Sequence, residues 1–373
     1  MTAGYFAPRD LHPGAWWVWA LALAVAASRT TNPWLLTTIL VVVGYVVVSR
    51  RSDAPWALSF RMYVYLGLLI IAMRIVFRII FGGTDGRTIV FSLPEVPLPD
   101  WAAGIQLLGD VSLESVLGGF YDGLRLATMI VCLGAANALA NPKRLLKAMP
   151  PALYEVATAV VVALSVFPQL AESVARVRRA RRLRGSAARR SNVFRTIAIP
   201  VLADALERSI RLAASMDARG YGRVKAGKTL PAGVLLIAGL CGICIGAYAS
   251  QDLTLSRSLA FIALAVGCAL AVCGLVVAGR GVERTHYRPD RWQIAELVVV
   301  ASGVVASGAF WLTASGDPLG ITVSVATWPP LDWAPFVALL VGLLPAWLTP
   351  EPADLLPVTA AEERAPVPTG VAS

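Results

Sequence analysis

Apolar runs of about twenty residues alternate along this chain with short segments rich in arginine or proline, and such a run matches the thickness of a bilayer's hydrocarbon core. Leu11 to Ser28 and Thr30 to Ser49 predict a helical hairpin, divided by Arg29 and the turn-forming Asn32-Pro33. Phe60 to Phe81 is the third run, interrupted by Arg74 and Arg78, four apart on one helix face. A polar, proline-rich stretch from Gly82 to Ser115 follows. Val116 to Ala140, Leu230 to Gln251, Ser258 to Gly279, Leu297 to Gly316 and Trp333 to Thr349 bring the predicted spans to eight. Val156 to Ala171 breaks the alternation. Lys143, Arg144 and Lys147 precede it and an arginine-rich segment follows, so a crossing would leave one basic cluster outside. It is expected to lie in the inner leaflet or under the bundle.

The fold class is an all-α polytopic membrane protein of about eight transmembrane helices plus a cytoplasmic module of long amphipathic helices. Residues 1–150 carry the N-terminal transmembrane helices, 151–228 the inner-leaflet helix and cytoplasmic helices, 229–350 the C-terminal transmembrane helices, and 351–373 a disordered, Pro/Ala-rich tail. Arg50 and Arg51 place the end of the first hairpin inside, as do Arg280, Arg284, Arg288 and Arg291 for a later loop, so both termini are expected in the cytoplasm. The first run reads as half of a hairpin rather than a cleaved leader, because Arg9 is offset by Asp10 and a second apolar run follows at once.

Composition agrees: 57% of residues are hydrophobic, only 15% are charged, and mean hydropathy is +0.67. Soluble domains carry about 25% charged residues. The net charge of +10 would suggest nucleic acid in a soluble protein, but here the positive residues cluster between apolar runs, and no aromatic residues interleave with them for base stacking. Nucleic acid is therefore not expected as a partner; membrane lipids are. Cys132, Cys241, Cys244, Cys268 and Cys273 all sit in apolar runs and read as small buried hydrophobes. With only His12 and His286 for histidines, no metal site or cofactor is expected.

Between Glu172 and Lys228 lie fifteen of the chain's 33 Lys and Arg residues, opposed only by Glu172, Asp204, Glu207 and Asp217. Such a segment cannot enter hydrocarbon. Two amphipathic helices are predicted in it, roughly Gln169 to Arg184 and Val201 to Arg219. In the second, Leu202, Leu206, Ile210, Ala213 and Met216 recur at helical spacing. Each ends in Arg-Gly. Gly185 and Gly220 suit the left-handed position past a helix end, and Arg184 and Arg219 complement the negative end of the helix dipole. A guanidinium held there is also a rigid fork for a carboxylate on another protein.

With these residues in view, the sequence resembles the transmembrane T component of energy-coupling factor (ECF) transporters, over about Leu11 to Gly222. The resemblance rests on the Asn32-Pro33 hairpin, Asn141-Pro142, Pro150-Pro151 and Phe167-Pro168. It rests above all on Arg184-Gly185 and on Ala213-Ala214-Ser215-Met216-Asp217-Ala218-Arg219-Gly220-Tyr221-Gly222. It implies that two coupling helices insert Arg184 and Arg219 into grooves on a pair of ABC-type ATPases. Gly185, Ala218 and Gly220 complete the two motifs, and Leu183 stands where the family often has alanine. It further implies a separate substrate-binding S component for a vitamin or metal ion, resting in part on Val156 to Ala171, in the plasma membrane of a prokaryote. Some 150 residues follow the second motif, and the resemblance assigns them no role.

Gly222-Arg223-Val224-Lys225-Ala226-Gly227-Lys228-Thr229 matches the G-x-x-x-x-G-K-[ST] phosphate loop. That loop works between a strand and a helix N-terminus. Here a predicted helix precedes it and Leu230-Pro231 and an apolar run follow, so the match is read as fortuitous, and the chain is expected to have no catalytic residue. The alternative to a coupling scaffold is a self-contained secondary transporter, which would carry ionisable residues at mid-membrane depth. Arg74 and Arg78 are expected instead to reach the outer interface or pair with Asp110 or Glu114.

Overall fold

The computed structural model describes residues 8–52, 57–81, 88–94, 108–183, 193–220, 230–251, 256–280, 292–316, 325 and 328–352. In chain order its elements are α1 (Pro13–Ser28), α2 (Pro33–Arg50), α3 (Phe60–Ile80), β1 (Ile89–Ser92), β2 (Asp110–Ser112), α4 (Leu113–Leu139) and α5 (Pro142–Lys147). Then come α6 (Tyr154–Leu183), α7 (Val193–Ala218), α8 (Leu230–Gln251), α9 (Arg257–Gly279), α10 (Ile294–Gly316), α11 (Trp333–Leu340) and α12 (Pro345–Leu348). The protein is an all-α polytopic membrane protein. Its β1–β2 hairpin is antiparallel, with Ile89 opposite Ser112 and Ser92 opposite Asp110.

Among the described residues seven helices are long and apolar enough to cross a bilayer: α2, α3, α4, α6, α8, α9 and α10. Two of the eight expected spans fall short. Pro13–Ser28 has 16 residues, and Trp333–Leu348, which runs through a 3-10 turn at Val341–Leu343, is likewise shorter than 18. The seventh is α6. Pro168 removes one i→i−4 rung but does not end this 30-residue helix, so Val156 to Ala171 and the basic helix after it form one element.

The chain folds as two compact units, residues 1–145 with 290–373, and residues 146–289. In the first, α1 and α2 open on Pro13 and Pro33 at the first helical position, behind side-chain caps from His12 and Asn32. Buried Asn32 accepts from Trp34 N at 3.0 Å and donates Nδ2 to the Pro330 carbonyl at 2.7 Å, so the predicted hairpin turn also anchors the segment before α11. Trp19, Leu23, Leu35, Ile39, Val43, Val299, Phe310 and Leu339 form the core, which draws on both ends of the chain. Gly303 lets α10 approach so closely that an added Cβ would lie 2.8 Å from Trp19 Cα.

Helices α3 and α4 meet along Gly119, Gly123, Ala127 and Gly134, small residues that let the backbones approach. A Cβ at Gly134 would stand 2.5 Å from Tyr63. Arg78 lies over Gly119 and pairs with Asp122, one turn along α4, at 3.6 Å between Nη2 and Oδ2. The partner is thus neither Asp110 nor Glu114. The Glu114 carboxylate accepts from Thr88 N and Oγ1 at 3.3 and 3.1 Å.

In the second unit, α8 and α9 pack through Gly239, Gly242, Gly246, Gly267 and Gly274. Their cysteines 241, 244, 268 and 273 are exposed and free, so the expectation of burial holds for Cys132 alone. These helices are tightly packed on one seam and apolar elsewhere, as lipid-facing helices are.

Candidate functional site

The second unit also contains α6 and α7, 30 and 26 residues or about 45 and 39 Å long. Their pairing has a polar centre beside buried Val201. Gln169 and Ser173, one turn apart on α6, face Asp204 and Arg208, one turn apart on α7. The buried Ser173 hydroxyl donates to Asp204 Oδ2 at 2.7 Å. Arg208 donates Nε to Asp204 Oδ1 at 3.2 Å, Nη2 to Oδ2 at 3.0 Å, and Nη1 back to Gln169 Oε1 at 3.4 Å. The Ser173 hydroxyl, and then the Arg208 guanidinium, hold the Asp204 carboxyl below the usual carboxylate range, so it is ionised at neutral pH. Glu207 and Arg211 add an ion pair on the open side of α7.

This pairing turns the apolar stripe of α7 outward. Leu202, Leu206 and Ile210 are 65%, 62% and 60% exposed, with Ile199 in line one turn before them. On α6, Val156, Leu164 and Phe167 are exposed too. Helical spacing located the stripe; that it faces away from α6 follows from the charge of Asp204 and Arg208, which take the shared face.

The Arg-Gly signature closes α7. Arg219 N donates to Met216 O at 3.1 Å and Gly220 N to Asp217 O at 2.9 Å, tightening the last turn, and Gly220 has φ +78°. A side chain in this left-handed conformation costs about 1–2 kcal/mol. Gly220→Ala is therefore expected to fray the end of α7, seen as faster amide exchange at Ala218 and Arg219, while α8 and α9 keep their protection. Ala218, Arg219 and Gly220 are all exposed, so the guanidinium stands at the surface of a capped helix end. Arg184 and Gly185 lie outside the described residues, as do Tyr221-Gly222 and the phosphate-loop look-alike 222–229. Helix α6 is continuous to Leu183, which leads directly into the first motif.

The model of a family described as cobalt transport protein, CbiQ, matches residues 6–230 of the 373. The chain belongs to the CbiQ family. These are the T components of ECF transporters, which agrees with the resemblance carried by the Ala213 to Gly222 motif, and the chain is a membrane component of a transport system. No curated protein matches it. The CbiQ match takes in α1 to α7 and stops at the first residue of α8. Ser173, Asp204 and Arg208 fall inside it, although the sequence presents them only as scattered polar residues. The signal that could have found them is the pair of i, i+4 polar couples on two adjacent helices.

Proposed function

We propose that this chain is the transmembrane coupling component of an ECF-type ABC importer. A pair of ABC-type ATPases binds ATP and closes; α6 and α7 act as levers; a separate substrate-binding S component reorients and releases its cargo inside. The cargo class is a vitamin or a metal ion, and the family description favours cobalt. The chain hydrolyses nothing itself. It sits in the plasma membrane of a prokaryote with both termini cytoplasmic. The observation that carries this reading is Arg219, exposed on the last turn of a long helix and held there by left-handed Gly220 within Ala218-Arg219-Gly220. The outward stripe of Ile199, Leu202, Leu206 and Ile210 supports a membrane partner, because polar pairing with α6 leaves it uncovered.

The test is co-expression with the two ATPases and the S component. Arg184→Ala with Arg219→Ala removes two desolvated guanidinium anchors at about 2 kcal/mol each, enough to lower co-purified ATPase and substrate uptake at least about tenfold with membrane insertion unchanged. Normal co-purification with undiminished uptake would overturn the proposal. The alternative, a self-contained secondary transporter, has in its favour the ion pair Arg78–Asp122 within the α3–α4 pair. Uptake that persists with no ATPase present would select it.

A further inference from the structure

Two packed helices can slide or splay when only apolar contacts join them, because those contacts have no preferred direction. A carboxylate that accepts from both helices does. At the crossing of α6 and α7, Asp204 takes the hydroxyl of Ser173, which is 3% exposed, and two donors of Arg208, while Arg208 returns to α6 through Gln169. Most of the apolar stripe of α7, Leu202, Leu206 and Ile210, points elsewhere, and among its described residues Val201, 8% exposed, is the one buried apolar side chain.

We infer that Ser173, Asp204 and Arg208 are positioning residues, forming a fulcrum that locks α6 and α7 into one lever. The inference rests on the coupling reading. Fifteen residues, about 22 Å of helix, separate Asp204 from Arg219, and ten residues, about 15 Å, separate Ser173 from Leu183. Both arms extend well past the clamp. A displacement at the Arg219 end therefore passes through the clamp into α6, and the two helix ends move with a fixed relation rather than one yielding while the other is driven. The Asp204 carboxylate is engaged within the pair, with Ser173 and Arg208 as its donors.

Ser173→Ala removes the donor on α6 and leaves the side chains of α7 intact; Asp204→Ala removes the acceptor. Two measurements separate the clamp from the coupling reading. The first uses the full-length chain in lipid nanodiscs, with native cysteines replaced and spin labels at Arg178→Cys and Ser215→Cys. The inter-arm distance distribution is expected to broaden in both variants. A distribution unchanged by Ser173→Ala and by Asp204→Ala overturns the inference whatever the protein couples to. The second uses the reconstituted complex with its ATPases. Substrate moved per ATP hydrolysed is expected to fall about fivefold or more while the ATPases still co-purify. An unchanged ratio in variants whose arms have broadened also overturns it. If the unsubstituted chain recruits no ATPase, the coupling reading fails, and the lever with it, even where the distance measurement finds the clamp.

Discussion

Glu296→Ala is expected to destabilise the unit formed by residues 1–145 and 290–373 by about 3–5 kcal/mol, the cost of removing one member of a buried ion pair. Glu296 is 1% exposed and meets both terminal nitrogens of Arg9 at 3.0 Å. It also accepts from His12 N at 3.3 Å and from Gln293 N at 3.0 Å. One carboxylate in the first turn of α10 thus caps two helices, since His12 and Gln293 directly precede α1 and α10. Arg9 is 26% exposed, so water can reach its stranded charge, which argues for the lower end of the range. Glu296→Gln keeps an acceptor and is expected to lose less. Thermal unfolding in nanodiscs, followed by accessibility of buried Cys132, reads the change.

Gly267→Val is expected to cost at least about 3 kcal/mol, the upper end of over-packing, because nothing near the site can move aside. A Cβ there would stand 2.5 Å from Ile243 N and 2.6 Å from Gly242 C, both main-chain atoms of α8. The two axes must separate, and the contacts at Gly239, Gly242 and Gly246 are lost with them. Protease resistance of the α8–α9 segment checks this. Gly233→Val is the control: a Cβ at that position meets nothing within 4 Å, and stability should be unchanged.

Much of this architecture is legible in the sequence because apolar length, charge and helix breakers are local properties. The Asn32-Pro33 turn and the glycine after α7 fall where their chemistry demands. Continuity of α6 was not legible: a proline beside an arginine-rich flank reads as a boundary, and only the structure shows the helix passing through it. Pairing across long separations was hidden as well. Asp122 lies inside an apolar run, and it becomes the partner of Arg78 because Gly119 lets α3 settle at that height on α4. Asp204 was visible as one of four acidic residues in a basic segment, without a sign that it joins two helices. Cuts placed at residues 150 and 229 follow interruptions in hydropathy. The association of α10 and α11 with α1 and α2 depends on shape: Gly303 against Trp19, and Asn32 against Pro330.

The buried indole of Trp19 donates Nε1 at 3.2 Å to the carbonyl of Gly342, 323 positions later. A ribosome adding about 5–20 residues per second needs roughly 15–65 s to cover that distance. Throughout that interval the nascent first hairpin sits in the membrane with its acceptor still unmade. The first hairpin therefore reaches its final packing only after the last helices have been translated, however early it enters the bilayer.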